Sequence, residues 1–204
     1  MICKLAVVFI AFLATCSANH RLPREGASFT VVNEVSVDNE GKNVNCMCTK
    51  YVIYCEQNRQ NRPYYLKAAA LCRSLSVLPG GPRGRLAVLR DPLIAKEVRD
   101  TIMSKKLNAR SCVKYYGFWI GLSDAASEGE FIWADGKSLC VGDHRDWAPD
   151  EPNNNTKRTK RGQDCVQMWF RYDYPGLLDD EYCDARPKGI VCEVQDPYCH
   201  SYRP

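Results

Sequence analysis

An α+β fold is predicted by three observations. Helix signals are confined to the chain before residue 105, and apolar strand-like runs dominate after residue 112. Helices and strands that segregate along a chain in this way define the α+β class. Between Asp135 and Asp164 almost no regular pattern exists, and an irregular stretch of about 30 residues inside a compact domain is usually functional. The third observation is the cysteine count. Of 12 cysteines in 204 residues, Cys3 and Cys16 fall in an apolar leader, which leaves ten for a disulfide framework.

Composition removes several classes. Hydrophobic residues at 45% and charged residues at 25% are ordinary for a globular chain, which argues against disorder, collagen and a multi-span membrane protein. A net charge of +4, from 28 basic and 24 acidic residues, is too mild to imply nucleic acid.

The elements follow in chain order. Met1–Lys4 is a short positive start, Leu5–Leu13 is continuously apolar, and Cys16-Ser17-Ala18 offers small residues for cleavage after Ala18. This is the layout of a signal peptide, 1–18, and the run is too short for a membrane span, which needs about 20 apolar residues. The mature chain is therefore expected to be secreted, extracellular and soluble. Residues 19–45 read as an extended arm, although Val35 and Val37 alternate with Ser36 and Asp38 at a strand's period. The compact domain is placed at 46–194 and a short tail at 195–204. A first helix is expected from Pro63 in its first turn through the Ala- and Leu-rich Tyr64–Cys72. Pro79-Gly80-Gly81-Pro82 is a loop, and Asp91-Pro92 opens a second helix whose Ile94, Val98 and Ile102 form one stripe. Strands are expected at Phe118–Leu122, Glu130–Trp133, Cys165–Trp169 and Gly189–Val194.

An enzyme is not expected. His20, His144 and His200 are the only histidines, none in a nucleophile or zinc motif, and no Gly-x-Ser-x-Gly or phosphate loop occurs. Oxygen donors are more informative. Glu151, Asn153, Gln163, Asp179 and Asp180 form one set in or beside the irregular region, and Asp124, Glu128, Asn154 and Asp164 a second. Calcium takes six to eight hard oxygens, which a loop-rich scaffold can converge. Solvated loop acids would look the same, and spacing does not choose. Pro152 between Glu151 and Asn153 would, if cis, turn both side chains to one side.

These residues, in order, resemble the C-type lectin-like domain. Trp119-Ile120-Gly121-Leu122 is similar to that family's WIGL strand, and Glu130–Gly136 to the strand and turn that follow. Trp147 through Glu151-Pro152-Asn153 resembles the tryptophan and EPN segment of its long loop. Gln163-Asp164-Cys165 and Asp179-Asp180 before Cys183 resemble its closing half. The resemblance covers roughly residues 46 to 194 and is of the long form. It implies a disulfide-stabilised fold of two helices, small antiparallel sheets and a long irregular loop region. It implies the bridges Cys72–Cys192 and Cys165–Cys183, and for Cys55 a bridge with Cys46 or Cys48. Elimination leaves Cys112–Cys140, and Cys199 with whichever of Cys46 and Cys48 remains. A Cys46-Met47-Cys48 metal site is the alternative, which secretion opposes.

The resemblance also implies calcium as cofactor and glycans as partners. Glu151, Asn153, Asp179, Asp180 and Gln163 would be the primary calcium ligands. Glu151, Asn153, Gln163 and Asp179 would also bond two neighbouring sugar hydroxyls. Asp124, Glu128, Asn154 and Asp164 would form a weaker accessory site. An EPN sequence implies vicinal equatorial hydroxyls, as in mannose, fucose, glucose or N-acetylglucosamine, and a role in microbial recognition or innate immunity. Two departures stand out. The family's Trp-Asn-Asp reads Leu178-Asp179-Asp180, and the usual Glu before Asp-Cys is Gln163, so amide and acid have changed places. An insertion, Asn154–Arg161, carries four positive charges. It reads as a solvated tip, a site for an anionic ligand such as a sulfated glycan, or a dibasic cleavage sequence at Arg158–Arg161. Asn154-Asn155-Thr156 is a glycosylation sequon. A calcium-independent domain for a protein or sulfated-glycan partner is the competing expectation.

Overall fold

The computed structural model describes residues 26–37, 43–55, 62–76, 79–104, 117–171, 174–185 and 189–196. The expected signal peptide, Cys112, Cys199 and the tail beyond residue 196 lie outside them. Among the described residues no helix is long and apolar enough to cross a membrane.

The chain order is β1 (Gly26–Val37), β2 (Asn43–Tyr54), α1 (Tyr65–Ser74), β3 (Arg85–Leu86), α2 (Pro92–Ser104), β4 (Phe118–Ser123), β5 (Ile132–Trp133), β6 (Cys165–Arg171), β7 (Tyr174–Glu181) and β8 (Gly189–Asp196). The stretch expected as an arm carries β1, which pairs antiparallel with β2 from Gly26↔Tyr54 to Val37↔Asn43. Its Thr30, Val31, Val32, Val35 and Val37 suit a pleated surface.

Both helices form where expected. Pro63 precedes the N-cap Tyr64 rather than occupying the first turn, and its carbonyl accepts from Trp119 Nε1 at 3.3 Å. Asp91 caps α2 by accepting from the Leu93 amide at 2.8 Å. Val98 and Ile102 of the expected stripe are fully buried and Ala95 joins them, while Ile94 is half-buried.

One mixed eight-stranded sheet forms, in the order β1-β2-β8-β4-β6-β7, with β3 on β8 and β5 on β4. This corrects the expectation of several small antiparallel sheets. The last strand inserts between β2 and β4, and its antiparallel pairing with β2 leaves it parallel to β4, with Phe118↔Gly189 and Trp119↔Ile190 in register. The main core lies between the sheet and α2, around Phe118, Ile120, Leu122, Trp133, Met168 and Leu178. A second cluster joins α1 to the sheet through Trp119, which Tyr65 meets edge-on at 5.3 Å.

Gly121, at the centre of the Trp-Ile-Gly-Leu strand, has a steric reason to be glycine. A Cβ there would lie 2.6 Å from the Leu86 carbonyl oxygen, 2.8 Å from Ala134 Cβ and 3.0 Å from the Ala87 carbonyl oxygen. Two of these are backbone atoms in a hydrogen-bonded layer, and the Gly121 amide donates to Ala87 O at 2.8 Å. Gly121→Ala is expected to cost about 1–3 kcal/mol through overpacking, read as a lower urea midpoint with unchanged slope.

Two bridges match the implied map. Cys72–Cys192 joins α1 to β8, and Cys165–Cys183 joins the start of β6 to the turn after β7. Cys48 and Cys55 are both disulfide-bonded; the Cys46 side chain and Cys199 lie outside the described residues. The expected Cys112–Cys140 bridge is corrected at its described end. Cys140 is a free, exposed thiol in a turn closed by its own amide on Asp143 Oδ2 at 2.9 Å, with Sγ directed at the Ser138 carbonyl, 3.5 Å away.

Candidate functional site

Strand β7 places Asp179 and Asp180 side by side, and the irregular region brings Glu151 to them. The region is anchored at its entry: Leu178 donates to Asp146 O and Ala148 donates to Leu178 O, both at 2.8 Å. Glu151 N then donates to Ala148 O at 3.0 Å, after Asp150 turns the backbone with φ 66°, a conformation that aspartate tolerates better than most residues. The Glu151–Pro152 bond is cis. The side chains on either side of Pro152 meet, with Asn153 Nδ2 donating to Glu151 Oε1 at 2.9 Å.

One oxygen each from Glu151, Asp179 and Asp180 lie within 4.8 Å of one another. Asp179 and Asp180 are buried, and Glu151 Oε2 is buried without a hydrogen-bond partner. Burial, reinforced by Asp180 and Asp179, pushes the Glu151 carboxyl up to about 9. Such a group prefers to hold a proton in the folded, cation-free protein. Its contribution to stability is complete below the unfolded value of 4.5 and is lost as pH rises through about 9. Without divalent cation, thermal stability is therefore expected to fall across that window, and Glu151→Gln is expected to flatten the slope in pH-dependent melting curves.

The remaining carboxylate oxygens are held by neighbours. Asp180 accepts the amides of Asn153 at 2.9 Å and Asn154 at 2.8 Å. Asp179 accepts from Gln167 Nε2, its register partner across β6 and β7, and Gln167 Oε1 accepts the Gly117 amide at 2.9 Å. Gln167 was not singled out from sequence; an amide between Val166 and Met168 in an apolar strand was the available signal.

Gln163 is hydrogen-bonded at both ends of its side chain. Its Oε1 accepts the Asn155 amide at 2.9 Å and its Nε2 donates to Glu181 at 3.3 Å. Its amide thus fastens the loop, and its oxygen keeps a second lone pair. Asn154 is likewise engaged: Oδ1 accepts Gln163 N at 2.9 Å and lies 1.5 Å from where a Gly162 Cβ would stand.

The accessory set is looser. Asp124 Oδ2 accepts Gly129 N at 2.9 Å, and Oδ1 is buried without a partner. Burial first, and then the charges of Asp164 and Asp180, raise the Asp124 carboxyl. Desolvation first, and then the charges of Asp124, Asp164 and Asp180, raise the Glu128 carboxyl. The Asp164 carbonyl already accepts from Ser123 Oγ at 2.7 Å and Asp124 N at 3.2 Å. Among the described residues, Glu151, Asp179 and Asp180 are the His/Cys/Asp/Glu group whose ligand atoms converge.

Residues 155–161 form a strap that closes on the site. Asn154 and Gln163 clasp its neck. Tyr182 holds its middle, its hydroxyl donating to Asn155 Oδ1 and accepting from Arg158 N, both at 3.1 Å. Arg158 lies 5.3 Å over the Tyr182 ring and pairs with Asp184 at 3.1 Å.

A disulfide-braced α+β scaffold that holds an acidic, loop-built site on its surface defines a recognition domain. The C-type lectin domain family model matches residues 64–194, and the chain belongs to that family. It is 36% identical over 105 residues, half of this chain and 76% of the relative, to a lectin of Polyandrocarpa misakiensis. It is also 36% identical over 78 residues to an alpha-N-acetylgalactosamine-specific lectin of Patiria pectinifera, spanning 38% of this chain and 41% of that protein's length. The fold is shared with C-type lectin CEL-I of Cucumaria echinata, with a TM-score of 0.54 and 22% identity over 73% of this chain and 91% of that one. Membership places the chain among domains that bind rather than catalyse, as the sequence suggested.

Proposed function

We propose that the protein is a calcium-dependent, carbohydrate-binding lectin that works outside the cell, with Glu151, Asn153, Asp179 and Asp180 at the cation and sugar site. The observation that carries this reading is the convergence of three carboxylates around a buried, unpartnered Glu151 oxygen. Like charges so close disfavour their own ionisation. A hard divalent cation relieves that repulsion, and an all-oxygen donor set suits calcium. When bound, calcium supplies coordination for two neighbouring sugar hydroxyls.

The chain's own residues supply the rest. Carboxylate oxygens of Glu151 and Asp179 accept from sugar hydroxyls. Asn153 Nδ2 gives one N–H to Glu151 and has a second for a sugar oxygen. Gln167 orients Asp179, and Asp180 fixes the backbone of Asn153 and Asn154. The Glu151-Pro152-Asn153 sequence supports mannose, fucose, glucose or N-acetylglucosamine as the sugar. The leader at 1–18 and the cysteine framework support secretion, and glycan recognition of this kind fits microbial recognition in innate immunity.

The test is a glycan array probed in calcium and in chelator with the wild type and with Glu151→Gln/Asn153→Asp. Chelator is expected to abolish binding, and the double variant to shift preference toward galactose. An unchanged profile in both comparisons overturns the reading.

A further inference from the structure

The inserted strap holds the strongest unassigned charge on the described surface. Lys157, Arg158, Lys160 and Arg161 fall within five consecutive positions, and all four are exposed. Arg158 is engaged by Asp184 and by the Tyr182 ring. Lys157, Lys160 and Arg161 form no ion pair among the described residues. A merely solvated charge run needs no scaffold, yet this one is fastened at its neck and middle. Gln163 N on Asn154 Oδ1 and Asn155 N on Gln163 Oε1 close the neck, each at 2.9 Å. Asn155 Oδ1 also accepts the Lys157 amide at 2.9 Å.

The strap leaves and returns at Asn154, whose own amide is bonded to Asp180 of the carboxylate cluster. Three residues reach at most about 11 Å, so the Lys157 backbone stands no farther than that from Asn154, and Arg161 lies two residues from Gln163. Holding like charges together in a short fixed loop costs free energy through their repulsion, which an anion relieves. Because the strap is already ordered, little further ordering accompanies binding.

We propose that Lys157, Lys160 and Arg161 form an anion subsite for a sulfated sugar residue adjoining the one held at the carboxylate cluster. The inference rests on the lectin reading above and names the ligand class it favours. The carboxylate cluster nearby carries net negative charge on its own, so calcium is required to lower its repulsion of the anion. The subsite and the cation therefore act together rather than as alternatives.

The experiment uses the full secreted chain loaded with calcium. The probes are immobilised N-acetylglucosamine-terminated oligosaccharides in pairs that differ by one sulfate ester. Wild type is expected to bind the sulfated member about tenfold tighter, an accumulation of three exposed charge pairs. That preference should shrink as salt rises from about 0.05 M to about 0.5 M, where screening shortens the Debye length severalfold. In Lys157→Ala/Lys160→Ala/Arg161→Ala the preference is expected to vanish, with calcium affinity and binding to the unsulfated member unchanged, since Arg158 still clamps the strap. Equal wild-type binding to both members overturns the subsite, as does a preference that survives in the variant. Calcium-dependent binding to phosphatidylserine vesicles without any preference for the sulfated glycan also overturns it. Failure of wild type to bind the unsulfated member even in calcium counts instead against the lectin reading itself.

Discussion

Asp180→Ala is expected to abolish calcium binding and to release the segment from Asn153 to Gln163. Asp180 is 1% exposed and serves two structures at once. It gives one oxygen to the cluster with Glu151 and Asp179, and its two oxygens accept the amides of Asn153 and Asn154. Hydrogen bonds to a charged acceptor contribute about 1.5–3 kcal/mol each, and both partners here are backbone donors with no alternative acceptor supplied by the substitution. A loss of about 3–6 kcal/mol follows. Asp180→Asn separates the roles. Its oxygen can still accept one amide, whereas its Nδ2 faces a donor, so roughly half the stability loss is expected with the full loss of calcium response. Calcium titration calorimetry gives the first quantity and denaturant unfolding in chelator the second. Hydrogen exchange should show Asn153, Asn154 and Asn155 amides becoming unprotected together. Retention of calcium affinity in Asp180→Asn would place the cation elsewhere.

That dual role explains what was legible in the sequence and what was not. The helices were readable because their signals are local: the Asp91 cap and the Val98–Ile102 stripe depend on neighbours within a few residues. The Trp-Ile-Gly-Leu strand was readable because its apolar run and its glycine are both required by packing against β3. The position of β7 was not readable. Pro175, Gly176 and three consecutive acids at Asp179–Glu181 contradict strand propensity, and the strand exists because β6 pairs with it and Trp147 bridges to Leu178.

The site shows the same division. Glu151, Asn153, Asp179 and Asp180 could be picked out because acids and amides cluster in the irregular region. The part Gln163 plays in fastening the loop was not legible for a physical reason. Its carboxylate-like position in the chain says nothing about the inserted strap, which supplies an amide donor, Asn155 N, and an acceptor, Glu181, that satisfy both ends of the side chain. The supporting residues Tyr182 and Asp184 act through partners many positions away, so no local pattern marks them.

Removal of the Cys72–Cys192 bridge, as Cys72→Ala/Cys192→Ala, is expected to cost more stability than removal of Cys165–Cys183. The bridge closes a separation of 120 residues. Chain-entropy arguments assign a loop of about 100 residues close to 4.7 kcal/mol, against about 3 kcal/mol for one near 15 residues. Cys165–Cys183, with a separation of 18, belongs to the second class. A single domain has about 5–15 kcal/mol in total, so losing the long bridge takes a third or more of it. The consequences for the site should run the other way. Cys72 and Cys192 sit in the cluster that joins α1 to the sheet, in which Cys165 and Cys183 also pack, but they border neither the strap nor the carboxylates in sequence. Cys183 follows Tyr182, which fastens the strap, and its bridge partner begins β6 immediately after Asp164. The long-bridge variant is therefore expected to keep its calcium affinity at temperatures where it is folded, while Cys165→Ala/Cys183→Ala loses less stability and more affinity. Urea unfolding and calcium titration on the same two variants measure both orders. If the two quantities fall in parallel, stability and site organisation are one cooperative property of this fold rather than two.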